Sequence, residues 1–156
     1  MTANIYALLI SIVLTVATVV IHYEFLTTRW PVRRQFVSVR MGMLRLLIAI
    51  FAAHIIEIVL YGAGLYLMHG HLGLGTITGA ITGTAMDYFY FSAVSYTTLG
   101  FGDVLPAGPI RIVVAVESLN GLVLIGWSTS YTYLAMQRFS RAARRLHSEN
   151  HAHRIL

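Results

Sequence analysis

At 156 residues with 57 % hydrophobic and 11 % charged side chains, the chain is too apolar for a water-soluble domain of its size and reads as a small helical membrane protein. The absence of cysteine excludes a disulfide framework and a thiolate metal site. The formal charge of +5 comes from eleven basic residues, all arginine and mostly beside apolar segments, where anionic lipid headgroups account for them without nucleic acid.

Residues 5–21 form a run of seventeen without a charge, about the minimum that crosses a hydrocarbon core as a helix. Residues 1–27 are therefore expected to hold a first transmembrane helix. Residues 28–45 carry Arg29, Arg33, Arg34, Arg40 and Arg45, interleaved with Trp30, Val32, Phe36 and Val39 near helical spacing. This pattern predicts an amphipathic linker at the cytoplasmic interface. Residues 46–68 form a second span that contains His54 and Glu57. The glycine-rich stretch 69–86 reads as an outer loop, with His69 and His71 solvated. Asp87 is placed to cap or begin a short helix over 87–97, rich in aromatic residues including Tyr90. Pro106 and Pro109 then mark a turn, and an apolar run over 109–137 makes a third span longer than one bilayer thickness. Residues 138–156 form a basic, partly disordered tail that touches headgroups.

The central stretch is Ser95, Tyr96, Thr97, Thr98, Leu99, Gly100, Phe101, Gly102 and Asp103, uncharged up to its last residue and set between long apolar runs. Two glycines flanking an aromatic residue allow positive φ at alternate positions, so that successive carbonyls can point the same way. Irregular backbone at membrane depth is tolerated only when it is buried in protein or lines a water-filled path. These residues resemble the selectivity filter of the potassium channel family, with Thr-Leu-Gly-Phe-Gly-Asp standing for the usual Thr-Val-Gly-Tyr-Gly-Asp. The resemblance covers residues 85–137, in the order pore helix, filter, Asp, Pro and long inner helix.

The resemblance implies an all-α membrane protein. An N-terminal transmembrane helix precedes a two-helix pore domain over 46–137, with a re-entrant pore helix and a filter over 98–103, and four copies surround one axis as a homotetramer. It implies that Thr98, Leu99, Gly100 and Phe101 offer carbonyls to K⁺ as the permeant ion, with Gly102 completing the filter, and that no cofactor is required. Asp103 would mark the outer mouth, with Tyr90 as its hydrogen-bonding partner. Leu122, Ile125, Thr129 and Tyr133 share a helical face and would line the inner cavity, Tyr133 at its narrowest point. Ser128 and the hydroxyl-bearing residues near it suit a watered cavity. Gly121 and Gly126 are candidates both for a hinge and for close packing.

Ten of the eleven arginines fall in 29–45 and 138–154, and three spans put those two segments on one side. Excess arginine marks the cytoplasmic flank, so the N-terminus faces outward and the C-terminus is cytoplasmic, in the cell membrane. Inside the bilayer, His54 and Glu57 share a helix face, and Glu57 and Glu117 lie at similar depth with Asn120 close by. This polar cluster has three readings: a structural knot between helices, a proton-sensitive gate, or a divalent metal site. The expected function is passive, potassium-selective conduction through a carbonyl-lined pore. The alternatives are a poorly selective cation channel and a non-conducting subunit that assembles with another protein. No nucleophile and base set points to an enzyme.

Overall fold

The computed structural model describes residues 2–27 and 39–152. In chain order they form α1 (Thr2–Thr27), α2 (Val39–Gly70), β1 (Thr76–Gly79), α3 (Ala85–Tyr96), β2 (Val104–Ala107) and α4 (Ile110–Ala152). Three of the helices are long and apolar enough to cross a membrane, over Thr2–Thr27, Arg40–Gly70 and Ile110–Arg138. The three long helices pack against one another, and the short α3 wedges between α2 and α4.

The packing inverts the pattern of a soluble bundle. On α1 the buried residues are Ala7, Ser11, Leu14, Thr18, His22 and Leu26, while Leu8, Ile12, Val13, Val16 and Val20 are exposed. Lipid is as apolar as leucine, so helix association in a membrane favours small and polar residues at the contact. Each polar group on this face is matched. Ser11 and Thr18 donate to carbonyls one turn back, Thr15 shares a hydrogen bond of 3.1 Å with Tyr61, and Asn120 on α4 donates to Thr18 at 2.8 Å.

Several boundaries differ from the sequence expectation. Of the linker predicted over 28–45, residues 28–38 lie outside the described residues and the remainder forms the first turns of α2. Gly42 is the only weak helix former between Val39 and the apolar run, so nothing stops the helix there. The inner helix continues to Ala152, taking in most of the tail expected to be partly disordered, because Arg141, Ala142, Ala143, Arg144, Arg145 and Leu146 all favour helix. Within the outer loop, β1 pairs antiparallel with β2, Gly79 opposite Val104, an element the glycine-rich composition concealed. Gly79 holds φ 113°, and a Cβ there would lie 2.1 Å from the Asp103 carbonyl oxygen, so only glycine permits this approach.

Glycine also sets the contact between α4 and α3. A Cβ on Gly121 would fall 2.1 Å from the Tyr96 carbonyl oxygen, whereas one on Gly126 would meet nothing within 4 Å. Gly121 therefore has a packing contact that Gly126 lacks. Replacing Gly121 by alanine is expected to cost about 1–3 kcal/mol through overpacking. The readout is a lowered thermal midpoint of the purified protein, with Gly70→Ala, where the added carbon meets nothing within 4 Å, as the control.

Candidate ion-conduction site

The site begins with the cap of α3. Thr84 is the N-cap and Asp87 is the third residue of the helix, so Asp87 closes a capping box and is not itself the cap. Its Oδ2 accepts from the backbone N–H and hydroxyl of both Thr82 and Thr84, at 2.8–3.0 Å. The Thr84 and Thr82 hydrogen bonds hold the Asp87 carboxyl down at about 2.

At the other end, α3 runs directly into residues 98–103, the segment expected to form a filter. The N–H groups of Thr98, Leu99 and Gly100 turn back to the α3 carbonyls of Ser95 and Val94, at 3.0–3.3 Å. Thr98, Gly100 and Gly102 have φ of 59°, 57° and 77°, while Leu99 and Phe101 between them keep negative φ. Positive φ at Gly100 and Gly102 is what two glycines around an aromatic residue allow, and Thr98 adds a third such position. A left-handed threonine costs about 1–2 kcal/mol, and its bond to Ser95 opposes that cost. Among the described residues no donor reaches the carbonyls of Thr98, Leu99, Gly100 or Phe101. Leu99 and Phe101 are 58 % and 65 % exposed, so one chain leaves its filter uncovered.

The outer end is braced from two directions. Tyr90 donates to Asp103 Oδ2 at 2.8 Å, and the Ala80 N–H donates to the Asp103 carbonyl at 2.9 Å, extending the strand pair. His69, expected in solvent, shares a hydrogen bond of 2.9 Å with Tyr88.

On α4, Leu122, Thr129 and Tyr133 are exposed and Ile125 is half-buried. Ile125 and Thr129, with Phe51, His54, Tyr96 and Thr97, line a cavity of about 500 Å³ between α2 and α4. The hydroxyls nearby are spoken for by the helix: Thr129 donates to the Ile125 carbonyl and Ser130 to that of Gly126. Ser128 belongs to the wall of this cavity as well, and its hydroxyl is engaged in hydrogen bonds to two histidines.

The intramembrane polar residues separate into two groups. Glu57 is fully buried and accepts a short bond from Tyr96, 2.5 Å, with His54 at 3.1 Å and His22 at 2.9 Å. Glu117 is also fully buried but shares no hydrogen bond with Glu57; its Oε1 lies 2.5 Å from Ser92 Oγ. Ser92 Oγ is 2.8 Å from the Ile58 carbonyl as well, and a carbonyl can only accept. The single hydroxyl hydrogen of Ser92 cannot serve both contacts, so a hydrogen on Glu117 completes the pair and makes it a neutral acid. Asn120 joins neither carboxylate and bonds to Thr18 instead. His22 was missed in the sequence because it lies just past the uncharged run; Ser11, Thr15, Thr18 and His22 at three- and four-residue spacing carry the signal.

His22, His54 and Glu57 bring ligand-type atoms within 4.8 Å of one another. A divalent cation there would leave one net positive charge in a buried intramembrane site, against the cost of burying charge. The donor set is better matched by hydrogen than by metal.

A pore helix, an alternating glycine backbone and a long inner helix now stand in one arrangement, and a family model described as ion channel matches residues 46–138. The chain belongs to the ion channel family. Its family is one of channels and not of enzymes. The channel is 29 % identical over 121 residues to the inward rectifier potassium channel Kirbac3.1 of Paramagnetospirillum magnetotacticum, covering 77 % of this chain and 34 % of the relative. The chain thus spans about a third of that relative's length. No solved structure matches it. Helix α1 lies outside the family match, yet it supplies His22 to the buried network.

The Asp87 cap yields a signed pH prediction. A carboxyl held below its ordinary value of 3.8 stabilises the folded state above that value, and the contribution fades as pH falls through about 2. Asp87→Asn is therefore expected to lower the thermal midpoint at neutral pH, with the gap from wild type closing at the acid end. Circular dichroism melts across that range provide the check.

Proposed function

We propose that this protein is a potassium-selective channel in which four copies of the chain surround one axis. Thr98, Leu99, Gly100 and Phe101, with Gly102, face that axis with their carbonyls. A dehydrated potassium ion has to be met by several oxygens at once, and stacked carbonyl rings supply them without a charged side chain that would retain the ion. The single observation that carries this reading is the filter backbone. Its N–H groups are tied to α3, its φ values alternate, and its carbonyls have no donor among the described residues.

Four-fold assembly also accounts for what one chain leaves uncovered. Leu99, Phe101, Leu122 and Tyr133 are all more than half exposed in the single chain, an arrangement suited to contact with neighbouring copies and with the pore. In the assembled channel Leu122, Ile125, Thr129 and Tyr133 line the inner cavity. Asp103 concentrates cations at the outer mouth, held in place by Tyr90. The relative whose name records a potassium channel supports the choice of ion. The arginine distribution supports a cell-membrane protein with the N-terminus outside, the C-terminus in the cytoplasm and anionic headgroups against the basic segments.

The test is ion uptake by liposomes holding only the purified chain. Potassium uptake exceeding sodium uptake is expected. In Gly100→Ala it should fall by at least about ten-fold, since a left-handed alanine costs about 1–2 kcal/mol in each chain. Equal uptake of both ions would move the reading to a non-selective cation channel. Absence of uptake together with absence of a tetramer would move it to a subunit that works with another protein.

A further inference from the structure

Behind the filter, the buried His22, Glu57 and Ser128 and the part-exposed His54, which with Ser128 borders the cavity between α2 and α4, form a closed ring with one link from each neighbour to the next. Glu57 Oε1 meets His22 Nδ1 at 2.9 Å, and His22 Nε2 meets Ser128 Oγ at 3.1 Å. Ser128 Oγ in turn meets His54 Nε2 at 3.1 Å, and His54 Nδ1 meets Glu57 Oε2 at 3.1 Å. The four members come from three helices: His22 from α1, Glu57 and His54 from α2, and Ser128 from α4. Tyr96, the last residue of α3, donates to Glu57 and lies 2.9 Å from His54 Nδ1, so the pore helix is attached to the ring.

Counting hydrogens decides what this ring contains. Each of its four links needs one hydrogen. An ionised carboxylate brings none, a neutral imidazole brings one and a hydroxyl brings one. His22, His54 and Ser128 then supply three, and the Tyr96 hydrogen is engaged with Glu57 outside the ring. With neutral histidines and a charged glutamate, one link always sets lone pair against lone pair. One further proton fills the fourth link and also brings the net charge of the cluster to zero, the state least costly to bury inside a membrane.

We propose that the ring of His22, Glu57, His54 and Ser128 is a binding site for one proton, held between the helices and coupled through Tyr96 to the entrance of the filter. The other titratable groups facing it are Tyr61 from α2, Tyr96 from α3 and Glu117 from α4, while α1 contributes His22 itself. Glu117 is neutral by its bond to Ser92, and the tyrosines carry no charge near neutral pH, so no second charge offsets the loss of the proton. Removing the proton opens one link and leaves a buried negative charge. The ring then loosens where α1 or α2 meets the inner helix at Ser128, and Tyr96 loses a fixed partner one residue before Thr97.

The substitution Glu57→Gln separates this proposal from a merely structural knot. A glutamine brings its own hydrogens, so its oxygen accepts from Tyr96 and His54 while its amide donates to His22, and all four links close with neutral imidazoles and no added proton. The direct measurement is nitrogen and carboxyl-carbon magnetic resonance of isotope-labelled protein in lipid, with His22→Asn, His54→Asn and Glu57→Gln used to assign signals. At about pH 7, where an ordinary imidazole is mostly neutral, three protons are expected across His22, His54 and Glu57, falling to two in alkali. In Glu57→Gln two are expected throughout, one on each imidazole. Two protons in the wild type at every pH would overturn the proposal. This count does not depend on conduction, so it stands or falls separately from the channel reading. The effect on flux rests on that reading: potassium uptake by wild type should vary with pH while Glu57→Gln stays flat. A mutant that conducts with the wild-type pH profile would remove the coupling to the filter.

Discussion

A carboxylate inside a membrane must be met by hydrogen donors on every side, and the arrangement of this protein follows from how Glu57 meets that demand. Its partners are His22 on α1, His54 one turn away on α2 and Tyr96 at the end of the pore helix. Through Ser128 the two histidines bring in the inner helix as well. Each helix is therefore fixed relative to one buried charge. Leaving such a charge unmatched costs several kcal/mol, more than most apolar contacts in lipid return. This is why α1, which lies outside the matched pore domain, is an integral part of the bundle and not a loose anchor.

The filter depends on that arrangement at one remove. Its N–H groups hang from the carbonyls of Val94 and Ser95, so its position is that of the C-terminal end of α3. That end is set by Tyr96 on Glu57 and by the close approach of Gly121 on α4. The outer end is set independently, by Tyr90 on Asp103 and by the strand pair that Gly79 admits. A segment that presents its carbonyls outward has no backbone ladder of its own, and these supports at both ends replace one.

Much of this was legible in the sequence. Three long apolar runs have one reading in a chain this apolar, and Gly100 and Gly102 on either side of Phe101 allow the alternating positive φ that the backbone adopts. The Tyr90 contact with Asp103 was expected from the family resemblance, and Tyr90 does donate to Asp103. The outer strand pair was not, because Thr76–Gly79 is short and its partner contains Pro106, so neither stretch shows a clear two-residue alternation. The polar cluster was legible in part. Counting residues along two helices put Glu57 and Glu117 at one depth, but depth does not fix rotation, and the two face different partners. His22 and Ser128 were obscured for a related reason. In a membrane helix the buried face is marked by small and polar residues and not by a hydrophobic stripe, so the polarity of Ser128 points to the cavity it borders without naming its two histidine partners.

Conduction as proposed requires four chains presenting the carbonyls of Thr98 to Phe101 to a common axis. Its most direct test is an experimentally determined structure of the assembled protein in potassium. Four copies about one axis are expected, with ion density centred between the carbonyl rings. A different number of copies, or carbonyls turned away from the axis with no ion between them, would contradict it.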